Sequence, residues 1–309
     1  MAAGRGDSGS ARAWLEKVVR EIGPDLLYAG PVPSCGFLAA RLDVHPLALM
    51  SWGYDVLLDM EQSSRKRRQG AFALSRADLF ICDCEAVRRK CRPQLGTARI
   101  VQLPWGIDPK LFSPALADNL PGRPEQWGDS LVLISNRSWE PVYGIETLAE
   151  GFYRAWQQES GLRLVLIGAG SMAGFLQGFI RRHGLQDVIH CPGRIGHDRL
   201  PDQYRAADLY VSCSLTDGSS VSLLEAMGCG LPALVTDTGG NPEWIREGVN
   251  GWLVPVNDAD ALARRLLAAS FLDREHLRRM GRQGRRLVEQ RADWSKNSRR
   301  LLAAITELT

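Results

Sequence analysis

Several features are missing from this 309-residue chain, and each absence removes a class of function. No apolar run approaches the roughly 20 residues that a membrane-spanning helix needs. Residues 1–10 are small and polar and lack the apolar centre of a secretory signal. The formal net charge of +3 is too mild to point to nucleic acid, and no nucleic-acid partner is expected. The seven cysteines are scattered, and Cys82-x-Cys84 has no second pair at a zinc-finger spacing. That pair reads as a strand end with both thiols on one buried face, in a reducing, cytoplasmic setting. No internal repeat or low-complexity tract stands out.

What remains is an ordinary globular composition, 45% hydrophobic and 24% charged. The length suggests two domains, at about 100–200 residues each. Short apolar runs alternate with helical patterns, the signature of parallel α/β architecture. Strands are predicted over residues 25–29, 47–52, 79–84 and 99–103, then 131–135, 163–167, 188–190, 209–213, 233–236 and 251–254. Helices are predicted over 11–21, 35–42, 63–75 and 85–91 in the first part. In the second part they fall over 144–159, 172–183, 201–206, 222–228, 242–247, 258–270, 277–290 and 294–308. Pro104-Trp105-Gly106-Ile107-Asp108 and the turn signals at Pro121 and Pro124 mark the domain boundary.

The densest chemistry lies in Asp217-Gly218-Ser219-Ser220-Val221-Ser222-Leu223-Leu224-Glu225. A loop of small residues runs into a helix, and its backbone N–H groups make a site for phosphate. Carboxylates before the helix and within its early turns can accept hydrogen bonds from sugar hydroxyls. Phosphate and sugar hydroxyls together suggest a nucleotide-sugar. Taken alone, Ser222-x-x-Glu225 is also a helix capping box. The only Asp-x-Asp, at Asp258 and Asp260, opens a predicted helix and reads as an N-cap with a first-turn acid, so no metal site is expected.

With Gly230-Leu231-Pro232, Gly239-Gly240-Asn241-Pro242-Glu243 and Asn250-Gly251 at matching spacings, this stretch resembles the donor site of retaining GT-B glycosyltransferases of the family 4 grouping. The resemblance is specific over residues 130–262. It implies a GT-B-like α/β fold with two Rossmann-like domains facing a cleft: residues 1–118 on the acceptor side, 119–292 binding the donor, and 293–309 a helix crossing back. It implies a metal-independent transferase of hexosyl type with no cofactor, moving a sugar with retention from a nucleotide-diphosphate donor to a glycan or lipid-linked acceptor. Arg137 would hold the diphosphate, with its planar fork of donors. Asp217 would lie near the donor sugar, and Glu225 would bind the ribose hydroxyls. Gly218, Ser219, Ser220 and Val221 would add backbone donors, and Arg194 and Ile195 would meet the base through their backbone.

The chain departs from the family at several points. Tyr143 stands before Gly144 where a second cation, a Lys, is usual, and Asp217 stands where the family has Glu. The strand end at Ser51-Trp52-Gly53-Tyr54-Asp55 lacks the usual His. Trp52 and Asp55 are candidate acceptor contacts; for Trp52 a core aromatic is the alternative. His197 reads as a surface His ahead of a helix. The first strands of the acceptor domain are missing by this comparison, which leaves a sheet edge for a partner chain to complete. Arg65-Lys66-Arg67-Arg68 would make a peripheral contact with anionic lipid at the inner membrane face, or form a solvated face. Two rival readings stay open: a non-catalytic or incomplete nucleotide-sugar-binding subunit, and an NAD-dependent dehydrogenase built on Gly168-Ala169-Gly170-Ser171. The second lacks an acid closing the next strand.

Overall fold

The computed structural model describes residues 8–114, 123 and 125–309. The chain forms two compact units, one holding residues up to Pro104 together with Lys296–Thr309, the other Trp105–Ser295. All ten strands predicted from the sequence are present. They are β1 (Leu27–Ala29), β2 (Leu47–Met50), β3 (Leu79–Cys82), β4 (Arg99–Gln102), β5 (Leu131–Ser135), β6 (Leu162–Ile167), β7 (Ile189–Gly193), β8 (Leu209–Ser212), β9 (Ala233–Thr236) and β10 (Gly251–Val254). Every strand pairing is parallel.

The first unit carries a four-stranded sheet in the order β1-β2-β3-β4. Alternate residues serve opposite faces, as a pleated strand requires. Leu47, Leu49, Phe80 and Cys82 enter one core with Cys84, Val87 and Cys91, which places the Cys82-x-Cys84 pair in a buried face. Ala48, Leu79 and Ile81 face the other way and are covered by Ala304 from the last helix, Trp294–Thr306. The C-terminal segment thus packs on the first sheet.

The second unit is a six-stranded sheet in the order β10-β9-β8-β5-β6-β7. Counted within the unit this is 6-5-4-1-2-3, the dinucleotide-fold order with its switch point between β5 and β8. Leu131, Leu133, Leu164, Leu166, Leu209, Val211 and Leu234 build one core with helices Ile145–Trp156 and Ala259–Ser270. Val132, Ile134, Val165, Tyr210, Ala233 and Val235 build the other with helices Val221–Gly228 and Arg274–Arg291. Both faces are therefore covered, which is why these strands read as continuous apolar runs.

Three expectations need correction. The 118/119 boundary, like the turn signals at Pro121 and Pro124, lies outside the described residues, and the compact units divide earlier, after Pro104. The segment after Trp105 belongs to the second unit because Ile107 and Phe112 enter its core. Arg285 donates to the carbonyls of Pro109, Phe112 and Gly228. The helix predicted over 242–247 is a single turn, Asn241–Glu243. Side-chain amides take over its backbone partners: Asn250 accepts from the Arg246 N–H (2.7 Å) and donates to the Trp244 carbonyl (2.8 Å). The helix predicted over 35–42 is split into a wide turn, Val32–Gly36, and Phe37–Ala40. Helical turns over Asp55–Asp59 and Met60–Gln62 were not expected.

Candidate functional site

Strand order brings the site together. β5, β8 and β9 are neighbours, so the loops leaving their carboxyl ends meet, and such an edge at a switch point is where ligands sit in this architecture. Arg137 leaves β5, Asp217 leaves β8 and Gly239 leaves β9.

The Arg137 guanidinium is the hub. Its Nη2 lies 2.8 Å from Asp217 Oδ2, with the two side chains 12% and 17% exposed. Its Nη1 donates to Ser220 Oγ (2.8 Å) and Ser222 Oγ (2.9 Å). The Tyr143 ring covers its face at 4.2 Å. Its Nε is buried without a hydrogen-bond partner. Burial works against the charged guanidinium, but Asp217 and three tyrosines outweigh it, and Arg137 stands above its ordinary pKa. Burial raises the Asp217 carboxyl, while Arg137, Ser220 and the Gly218 N–H oppose the shift.

Helix Val221–Gly228 starts beside this pair. Its N-cap residue, Ser220, makes no side-chain cap bond, so the first-turn N–H groups are not satisfied by that hydroxyl. The capping-box reading of Ser222 and Glu225 does not hold. Ser222 Oγ is bonded to Arg137 and lies 2.9 Å from the Tyr210 hydroxyl. Glu225 is 4% exposed and accepts from Tyr204 Oη onto Oε2 (3.0 Å). Its Oε1 lies 3.0 Å from His197 Nε2. Burial pushes the Glu225 carboxyl up, against the pull of Tyr204 and His197.

The surrounding loops are tied to this core. Thr236 Oγ1 donates to the Ser214 carbonyl (2.6 Å), and Thr238 Oγ1 to that of Leu215 (3.2 Å). Ser219 Oγ accepts from Trp244 Nε1 at 3.2 Å. Gly239 has φ +53°, and a Cβ there would fall 1.7 Å from the Asp217 carbonyl oxygen, so only glycine fits. The Gly168-Ala169-Gly170-Ser171 turn is zipped to the β5 loop. Trp139 N–H donates to the Ala169 carbonyl (3.1 Å), and Glu140 accepts from the Ser171 N–H (2.9 Å).

Of the residues predicted from the sequence, Arg137, Asp217, Ser220 and Glu225 converge, with Gly218, Ser219 and Val221 in the same loop and helix start. Arg194 and Ile195 follow β7 and line a cavity of about 340 Å³ with Trp127, Val165 and Arg199. His197 lies at the surface ahead of a helix, as expected, and it also contacts Glu225 and packs its ring on Phe112, with centroids 5.1 Å apart. Tyr204 and Tyr210 carry no sequence signal, and the sequence singles out Ser222 only as a helix cap. Tyr143 has a signal in its place just before Gly144, and the structure lays its ring over Arg137.

In the first unit, Trp52 is 44% exposed, so its ring is open and not part of the core. The acceptor role expected of Asp55 is corrected, because Asp55 is fully buried. Its oxygens accept from the Val32 N–H (2.9 Å), Ser51 Oγ (2.7 Å) and the Trp52 N–H (2.9 Å), stapling the β2 loop. Within the basic run, Lys66 pairs with Asp59 at 2.7 Å, and Arg67 donates to the carbonyls of Met60 and Glu61. Arg65 and Arg68 make no ion pair among the described residues. Asp258 caps its helix by accepting from the Ala261 N–H at 2.8 Å, and Asp260 pairs with Arg154 at 2.6 Å. No helix of the described residues is long and apolar enough to cross a membrane.

Residues 122–287, more than half of the chain, match the family described as Glycosyl transferases group 1. The chain belongs to this family. WcaL of Escherichia coli (strain K12), named for colanic acid biosynthesis, is 32% identical over 190 residues, which are 60% of this chain and 45% of WcaL. The amylovoran biosynthesis glycosyltransferase AmsK of Erwinia amylovora is 30% identical over 171 residues, 53% of this chain and 40% of AmsK. The chain thus spans about half the length of the relatives it matches. Among solved structures, Anabaena HepE in complex with UDP superposes with a TM-score of 0.81 at 21% identity, covering 96% of this chain and 82% of HepE. That likeness establishes the GT-B-like α/β fold.

Proposed function

We propose that the chain binds a nucleotide-diphosphate sugar and transfers the sugar, with retention, to a glycan or lipid-linked acceptor, as a hexosyltransferase. The observation that carries this reading is the constellation at the β5–β8 switch point. A buried Arg137 and the start of helix Val221–Gly228 converge on one point, and the Glu225 carboxylate lies one turn further along the same helix.

The chemistry follows from the charges. Breaking the anomeric C–O bond leaves positive charge on the sugar and negative charge on the departing diphosphate. Stabilising that leaving group is the largest single contribution available to the protein. Arg137 and the helix-start N–H groups supply it. Glu225 accepts from the ribose hydroxyls, and Asp217 faces the donor sugar. In a retaining transfer the acceptor hydroxyl enters on the face the phosphate leaves, and a phosphate oxygen takes its proton. This scheme asks for no metal and no cofactor. Trp52 supplies an open ring on which an acceptor sugar can stack. Cytoplasmic residence belongs to the same reading, as do a peripheral lipid contact through Arg65 and Arg68 and a partner strand beside β1, an edge strand among the described residues. The HepE complexes with UDP and with UDP-glucose, and the sugar-polymer names of WcaL and AmsK, support a nucleotide-sugar donor and a glycan product.

A second reading, a nucleotide-sugar-binding subunit without turnover, draws on Tyr143 standing in place of a second cation and on Arg137 being neutralised by Asp217. Turnover separates the two. Sugar-donor hydrolysis and transfer followed by mass spectrometry should fall about 10²–10³-fold in Arg137→Ala. Equal rates in the two proteins would remove Arg137 from the leaving-group site.

A further inference from the structure

The Arg137–Asp217 pair has a consequence for how a donor enters, given the donor-site reading above. The residues after β5 provide one buried cation, and no second one follows before Gly144. Asp217 Oδ2 already neutralises that cation at 2.8 Å, in a place where both side chains are largely out of water. A diphosphate brought beside the intact pair would add uncompensated negative charge to a low-dielectric pocket. Beside a released guanidinium it would form charge-assisted, forked hydrogen bonds.

We infer that Asp217 is an internal stand-in for the diphosphate: its carboxylate occupies the Arg137 fork in the free protein, and the incoming diphosphate displaces it. Three features suit such an exchange. Arg137 keeps its position when Asp217 leaves, because Ser220 and Ser222 hold Nη1 and the Tyr143 ring covers the guanidinium face. The buried Nε–H has no protein acceptor and is satisfied once a phosphate oxygen arrives. The Asp217 backbone is pinned against Gly239, so the movement is a side-chain rotation and not a loop opening. The freed carboxylate then faces the donor sugar. Donor capture and placement of the sugar-side acid become one event, and the affinity for diphosphate is set by competition with Asp217.

The test is calorimetric titration of the full chain with UDP, GDP and ADP, and with uridine, guanosine and adenosine as controls. The proteins are wild type, Asp217→Asn, Asp217→Ser and the double variant Arg137→Gln/Asp217→Asn, with folding checked by circular dichroism. Removing the competing charge should tighten diphosphate binding by roughly tenfold or more, leave nucleoside binding unchanged, and lose the gain in the double variant. Equal or weaker diphosphate binding in folded Asp217→Asn and Asp217→Ser would overturn the exchange while leaving the donor site standing. No diphosphate binding by wild type or any folded variant would sink the donor-site reading itself. In the unmodified chain, the Asp217 ¹³Cγ resonance should move on saturation with diphosphate but not with nucleoside. An unmoved resonance at saturation contradicts the exchange.

Discussion

His197 and Glu225 share a 3.0 Å contact across the protein surface, the imidazole 67% exposed and the carboxylate side chain 5%. The buried end of this pair carries the desolvation. Burial raises the Glu225 pKa above the ordinary carboxylate value, and the bonds from Tyr204 and His197 only partly oppose it.

Glu225→Gln should therefore stabilise the folded chain at neutral pH while weakening nucleoside diphosphate binding. A raised folded-state pKa means that the folded chain holds the proton longer than the unfolded one. This contribution to stability is present at acid pH and is lost as pH rises from the unfolded toward the folded pKa. Thermal unfolding of the two proteins from acid to neutral pH should show the advantage of the Gln variant growing as pH rises. A pH-independent difference, or a less stable Gln variant at neutral pH, contradicts this.

Removing Arg137 leaves Asp217 as a buried charge without its partner. Arg137→Ala should cost about 3–5 kcal/mol in urea unfolding, and Arg137→Ala/Asp217→Ala should recover part of it. A double variant less stable than the single would mean that the two side chains do not act as a pair.

Asp55 accepts from three donors inside the first unit. Asp55→Ala should destabilise the chain by about 3 kcal/mol or more, since each orphaned buried donor costs about 1–3 kcal/mol. Nucleotide affinity of the folded fraction should stay unchanged, because the donor-side residues all lie in the second unit. A stability change below about 1 kcal/mol would show that the staple is replaceable.

Gly239 and Gly248 both have positive φ, +53° and +71°, but only at Gly239 would a Cβ collide with backbone, 1.7 Å from the Asp217 carbonyl. Gly239→Ala should displace the Asp217 loop and abolish nucleotide binding. Gly248→Ala, with nothing within 4 Å, should lose only about 1–2 kcal/mol of stability to backbone strain. Equal effects of the two on binding would show that loop placement does not matter.

Much of the fold was legible because both sheets are parallel and covered on both faces, so each strand announces itself as an apolar run between helical patterns. Asp217 and Glu225 stand out as candidates because small residues, a helix start and carboxylates occur at a recognisable spacing, and Arg137 stands out through the family resemblance, which implies a cation after β5. What their charges do was not. The Arg137–Asp217 pair joins loops from β5 and β8 that only the strand order makes adjacent. Asp55 looked like a free acid at a strand end, and nothing local reveals that the Val32 N–H reaches it from 23 positions away. His197 is solvated, as its sequence suggests, but its contact with Glu225 has no local signal because that carboxylate lies 28 positions further on. The 242–247 helix failed because the Asn250 side chain takes the Arg246 N–H and the Trp244 carbonyl.

The most direct test of the central claim is calorimetric titration of the unmodified chain with UDP, GDP, ADP and NAD, followed by mass-spectrometric hydrolysis of the sugar donors of whichever nucleotide binds. The account predicts that one nucleoside diphosphate binds in preference to NAD and that its sugar donor is consumed. Binding of NAD alone, or of none of the four to a folded chain, would contradict it.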